Sequence, residues 1–132
     1  MNGGCLCGAV SWATDAAARQ ILECHCRRCQ RVTGNFMAAT AVPTEQLSID
    51  GDALRWYAPD DDPNIAYGFC ATCGSSLFYR SGVTDGSNAD TSICAGSIDG
   101  HSKLRTTAVW FADNAADHVR LDPEIPTFPG QP

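Results

Sequence analysis

Apolar positions along the chain fall in short runs with a period of two, and recurrence every three or four residues is weak throughout. GAVSWAT (8–14) sets Val10 and Trp12 among small or polar neighbours, as a half-buried strand requires. NFMAATAVP reads as another strand, stopped at Pro43, and the QRVTG before it suits a short helical turn closed by Gly34. EQLSID and ALRWYAP flank Asp50-Gly51, a turn signal, and predict a hairpin in mid-chain. DDDPN (60–64) is an acidic, proline-containing loop. Beyond it, IAYGFC and SLFYR predict two strands joined across Cys70-Ala71-Thr72-Cys73. SGVTDGSNAD reads as a polar loop, TSICAGSI (91–98) as a strand, and HVRLD (118–122) as the last strand before a proline-rich tail from about residue 123. The pattern predicts a mainly β fold with short helical turns. With no repeat and no break in composition, the expected organisation is a single domain over 1–132.

At 132 residues the chain is long enough to bury about two-thirds of its unfolded surface, so a core can form without covalent staples. It is 44% hydrophobic and 18% charged, which excludes a disordered chain and a membrane-embedded one. No apolar run reaches a transmembrane length, and MNGGCLCGAVSW lacks the layout of a signal peptide; the expectation is a cytoplasmic protein with no membrane partner. Nine Lys plus Arg against fifteen Asp plus Glu leave a formal charge of −6. That is a poor match to a phosphate backbone, so nucleic acid is not an expected partner. Eight cysteines in such a chain point to metal binding or catalysis before a disulfide framework.

Those thiols fall into a pair (Cys5, Cys7), a triplet (Cys24, Cys26, Cys29), a second pair (Cys70, Cys73) and Cys94 alone. A structural zinc site closes with four protein ligands, whereas a catalytic one keeps three and leaves a position for water or substrate. Pair with pair makes a closed set, and the triplet makes an open one. Cys7 and Cys73 are each followed by glycine, which can take positive φ and turn backbone N–H groups toward sulfur; Cys29 is followed by Gln30 instead. The same spacings also allow other pairings or disulfides for the four. For the triplet they allow closure by a fourth ligand or a metal-free redox Cys-x-x-Cys. His25 lies between two ligand candidates and is expected to pack or hydrogen-bond. Cys94, in an apolar strand, is expected in the core, and His101 and His118, in polar surroundings, on the surface. Arg27, Arg28 and Arg31 put fixed positive charge beside the triplet, where an anionic ligand can meet it.

The order GCLCGAV (4–10), CHCRRCQRVTG (24–34), AVP (41–43), GFCATCGSSLF (68–78) and DPEIPTF (122–128) resembles the glutathione-dependent formaldehyde-activating enzyme family, which includes the centromere protein V-like domains. The resemblance implies an Mss4-like β fold with zinc-ribbon-type knuckles and two zinc ions per chain. It implies a structural zinc on Cys5, Cys7, Cys70 and Cys73 and a catalytic zinc on Cys24, Cys26 and Cys29. The implied activity is reversible formation of S-(hydroxymethyl)glutathione from glutathione and formaldehyde, a carbon-sulfur lyase class. Two stretches depart from the family pattern: Tyr67-Gly68-Phe69 stands where relatives often carry an Arg before the Phe-Cys, and Ala108-Val109-Trp110 replaces a His-Ile-Trp-like stretch. A free thiol has a pKa of about 8.5, and coordination to zinc deprotonates it. An open site would therefore activate a glutathione-type thiol, whose carboxylates Arg27, Arg28 or Arg31 would hold. A non-enzymatic two-zinc binding module and a thiol redox or formaldehyde-sensing protein are the other classes that these residues allow.

Overall fold

The computed structural model describes residues 1–132, in which eleven short strands and one helix build two sheets. The strands are β1 (Asn2–Gly4), β2 (Ser11–Ala13), β3 (Ile21–Cys24), β4 (Met37–Pro43), β5 (Ser48–Asp50), β6 (Leu54–Tyr57), β7 (Ile65–Cys70), β8 (Ser76–Ser81), β9 (Asp90–Cys94), β10 (Thr106–Trp110) and β11 (Thr127–Phe128). The helix α1 (Arg27–Thr33) lies between β3 and β4. One sheet has the order β1-β2-β5 and the other β11-β10-β3-β4-β9-β8-β7-β6; only the pairs β3 with β10 and β10 with β11 are parallel. This is the mainly β, single-domain class that the alternation predicts. No helix is long and apolar enough to cross a membrane.

Period-two alternation assigns the two faces of β4 to two cores. Val42 joins Val10, Trp12, Phe78 and Ile93, all at most 3% exposed, in the core between the small sheet and the large one. Burying side chains of this size contributes about 1.5–3 kcal/mol each relative to exposure. The other face presents Met37 and Ala39 to a second cluster with Cys29, Ile65, Tyr67 and Cys94, and Cys29 anchors α1 to it. Gly34 ends the helix in the left-handed region (φ 80°) with its N–H on Gln30 O, as its position after QRVT predicts. The helix starts earlier than the pattern suggests, at Arg27, and so takes in Cys29.

The mid-chain hairpin does not form. β5 pairs with β2, setting Ile49 beside Trp12, and β6 pairs with β7, setting Trp56 beside Gly68 and 6.0 Å from the Phe78 ring. Each strand gains more apolar contact in its own sheet than a free-standing two-stranded hairpin offers. The Asp50-Gly51 turn passes the chain between sheets: Gly51 has φ 124°, and a Cβ there would lie 2.1 Å from Ala9 O. HVRLD is not a strand either. It lies in the link from β10 to β11, where Val119 N–H makes a turn bond to Ala116 O, and the place beside β10 is taken by Thr127–Phe128 of the tail. The strand read over 91–98 ends at Cys94, followed by a 3-10 turn, Ala95–Ser97. The Ser97 hydroxyl donates to Cys94 O and accepts from Trp12 Nε1.

Candidate functional site

Two thiol clusters assemble where strands end. In the first, Cys5 and Cys7 in the turn between β1 and β2 meet Cys70 at the end of β7 and Cys73 in the turn before β8, and all four Sγ atoms lie within 4.8 Å of one another. Cys7 Sγ is 3.6 Å from Cys5 Sγ and 3.8 Å from Cys70 Sγ. Every cysteine is a free thiol. Gly8 (φ 79°) and Gly74 (φ 78°) close the two knuckles in the same way, their N–H groups bonded to Cys5 O and Cys70 O. Val10 N–H is directed at Cys5 Sγ at 3.2 Å. Ser75 joins the knuckles: its hydroxyl accepts Leu6 N–H and lies 3.2 Å from Cys73 Sγ. That hydroxyl, with the Ser75 backbone, holds the Cys73 thiol down to about 5. Four soft donors so arranged could hold a metal ion.

The second cluster is CHCRRC itself. Cys24 ends β3, Cys26 is the extended residue that caps α1, and Cys29, 5% exposed, lies in the helix's first turn; their Sγ atoms also fall within 4.8 Å and could hold a metal. Cys26 Sγ accepts Cys29 N–H at 3.4 Å. Hydrogen bonds from the Cys24 and Cys29 thiols hold the Cys26 thiol down to about 2. The same bonding to Cys26 pushes Cys24 up to about 11, and bonding to Cys24 pushes Cys29 far up.

Strand alternation turns His25 away from its flanking thiols. It is 1% exposed, its N–H bonds to Trp110 O, its ring packs 4.7 Å from that of Phe36, and its Nε2 lies 3.7 Å from Glu23 Oε2. Gln30 straps the segment. Its Nε2 donates to His25 O and to Asn114 O, both at 2.7 Å, tying α1 to the end of β3 and to the turn after β10. Cys94 is buried beside Cys29, and burial pushes its thiol up to about 12; it belongs to neither cluster. His101 and His118 are exposed.

The triad forms one end of a cleft of about 660 Å³, within the range of small-molecule sites. Tyr67, Tyr79, Met37, Ile65, Trp110 and Phe111 line it. Phe111 has φ 56°, a conformation rare for a bulky residue. The three arginines beside the triad differ. Arg28 is bound by Asp61 at 3.0 Å and Asp62 at 2.9 Å, so the acidic loop after β6 neutralises it and clamps the start of α1. Arg27 lines the cleft and bonds Gln30 Oε1, whereas Arg31 is exposed and does not line it. Tyr67, Tyr79, Phe111, Gln30, Ser75 and the arginine's acidic partners are brought in by pairing of distant segments, and local spacing carries no signal for them. Gly74 alone hints at Ser75, as the end of its knuckle.

The family described as glutathione-dependent formaldehyde-activating enzyme matches this chain over residues 1–114. No curated protein matches it. Among solved structures, the crystal structure of a Rhodobacter sphaeroides protein is similar, with a TM-score of 0.59 and 19% identity, covering 97% of this chain and 100% of that one. At that identity the likeness is one of fold.

Proposed function

The chain belongs to the glutathione-dependent formaldehyde-activating enzyme family, and from that membership we propose that it is a zinc-dependent carbon-sulfur lyase joining a glutathione-type thiol to formaldehyde. In this reading Cys5, Cys7, Cys70 and Cys73 hold a structural zinc, and Cys24, Cys26 and Cys29 a catalytic one. The donors fit the metal: tetrahedral zinc with bonds of about 2.3 Å needs sulfurs roughly 3.8 Å apart, close to the separations of Cys7 from Cys5 and Cys70. One observation supports the catalytic assignment above others. The triad gathers three thiols and no fourth ligand at the end of an open cleft. Zinc held there supplies a lowered thiol pKa and a polarised carbonyl.

In the net reaction the thiol S–H adds across the formaldehyde C=O: a C–S bond forms, the C=O π bond breaks, and the thiol proton ends on the oxygen. The chain's own residues contribute position and hydrogen bonds. The phenols of Tyr67 and Tyr79 line the cleft, their rings 5.4 Å apart, and burial raises both further above neutral pH. They stand as O–H donors to an oxygen on which negative charge develops. Met37, Ile65, Trp110 and Phe111 add apolar surface to the cleft that the triad also lines, a surrounding that suits a small aldehyde. The test follows adduct formation from glutathione and formaldehyde. Wild type should exceed the spontaneous rate and Cys29→Ser should not. Equal rates, with two zincs confirmed in the wild type, leave a zinc-binding module without this activity.

A further inference from the structure

Three charged residues that line the cleft form no ion pair with any side chain: Arg27, whose Nη1 bonds Gln30 Oε1, and the opposite charges Arg19 and Asp90. Arg19 belongs to the irregular segment between β2 and β3, yet its backbone is fixed. Its N–H donates to Ala41 O at 3.0 Å, and its carbonyl accepts from the buried Thr40 hydroxyl. The side chain turns back along β4, where Nη2 reaches Ala39 O at 3.4 Å and Nη1 reaches Gln20 O at 3.1 Å. Two neutral carbonyls occupy part of a guanidinium that carries five donors, and they leave its charge uncompensated. Burial lowers the Arg19 pKa from its usual value, while the charge of Asp90 opposes that shift from beyond ion-pair distance.

The placement is matched to the triad. Met37 pairs with Cys24, and Ala39 lies two residues further along β4 on the same face. At about 3.4 Å per residue, the Arg19 guanidinium stands roughly 7 Å along the sheet from the level of Cys24. A tripeptide spans about 10 Å at 3.3–3.6 Å per residue, so its central sulfur and a terminal carboxylate are separated by a distance of this order. Asp90 lies beyond, paired with Pro43, and the floor between holds only the small residues Ala41 and Ser92. The arginines of α1 fit the task less well: Arg28 is neutralised by its two aspartates, Arg31 lies off the cleft, and Arg27 adjoins Cys26 of the triad itself, with its Nη1 taken by Gln30 Oε1.

We propose that Arg19 and Asp90 select the head group of the thiol substrate: Arg19 holds an α-carboxylate and Asp90 the adjacent ammonium, while the sulfur lies at the triad. The substrate class is then a peptide thiol that ends in a free amino-acid zwitterion, as the γ-glutamyl end of glutathione does. This rests on the lyase reading above. The test is calorimetric titration of the zinc-loaded protein with glutathione, N-acetylglutathione and 2-mercaptoethanol. Arg19→Gln should weaken glutathione about tenfold or more, the scale of a lost charge-assisted hydrogen bond, and leave 2-mercaptoethanol within about twofold. Arg19→Lys should recover part of the loss. Asp90→Asn should remove the wild-type preference for glutathione over its N-acetyl derivative. Wild-type glutathione affinity in Arg19→Gln, or an equal loss for both thiols in a variant that melts like wild type, overturns the head-group assignment and leaves the lyase reading standing. If wild type binds no thiol at all, the lyase reading fails and this assignment with it.

Discussion

Replacing Gln30 by alanine should loosen the CHCRRC segment without touching a thiol. The Gln30 amide makes two bonds of 2.7 Å, to His25 O at the end of β3 and to Asn114 O after β10. Each net hydrogen bond is worth about 0.5–1.5 kcal/mol, and the Asn114 bond is exposed. The expected loss is therefore in the lower part of the summed range, about 1–2 kcal/mol. With an unfolding entropy of about 2.1 cal/mol/K per residue, 132 residues give roughly 0.28 kcal/mol per degree, so Tm should fall by about 4–7 °C. Gln30→Glu should be worse than Gln30→Ala, because a carboxylate would face two carbonyl oxygens in place of a shared donor.

The assay has two parts, thermal unfolding of the zinc-loaded proteins and the rate at which a chromogenic chelator withdraws metal. Zinc should leave Gln30→Ala in two phases, with only the faster one accelerated relative to wild type, since the strap touches the triad and not the four-thiol cluster. A Tm within about 1 °C of wild type for Gln30→Ala, with Gln30→Glu no lower, would refute the strap. Acceleration of both phases would show that the two clusters do not behave as separate sites.

Cys70→Ser should lose the structural zinc and with it the fold, because zinc binding contributes folding free energy on the order of 10 kcal/mol in small domains; soluble, cooperative unfolding near the wild-type Tm contradicts that. Cys94→Ala should keep both zincs and cost about 1–2 kcal/mol, the scale of a modest core change, and loss of one zinc on metal analysis would make Cys94 a ligand. The Cys94 thiol is raised from 9.0 in the unfolded chain to about 12 when folded, so its contribution to stability is complete below pH 9 and is lost as pH rises to about 12. Denaturant titrations should show Cys94→Ala losing less stability across that window than wild type. Gly51→Ala should destabilise by about 1–3 kcal/mol, since its Cβ would meet Ala9 O at 2.1 Å in a backbone conformation that L residues rarely adopt; a Tm equal to wild type contradicts the close approach.

Much of this architecture is readable from local sequence, and the unreadable part has a common cause. β2, β4, β7 and β8 bury one or both faces against fixed neighbours, so their apolar positions recur as strands demand. The thiol groups are legible because each knuckle is a local turn whose spacing limits where its sulfurs can reach. Asp50-Gly51 misleads because the residues that suit a hairpin turn also suit a change of sheet, and only the competition between Trp12 and a free-standing partner for Ile49 decides between them. The tail strand Thr127–Phe128 is two residues long and exists only because β10 offers an edge. The Gln30 bond to Asn114, the Ser75 contact and the clamp of Asp61 and Asp62 on Arg28 depend on residues 33 to 84 positions away, so no window of sequence holds both halves.

Zinc-edge X-ray absorption tests the central assignment most directly, by counting sulfurs with and without glutathione. Four thiols at one cluster and three at the other average 3.5 sulfurs per zinc. Addition of glutathione should raise the average to about 4 as its sulfur joins the open site. An average of 4 before any thiol is added would mean that the triad is closed by a fourth protein sulfur. A value fixed at 3.5 in saturating glutathione would mean that the open position does not take the thiol, and either result would contradict the lyase.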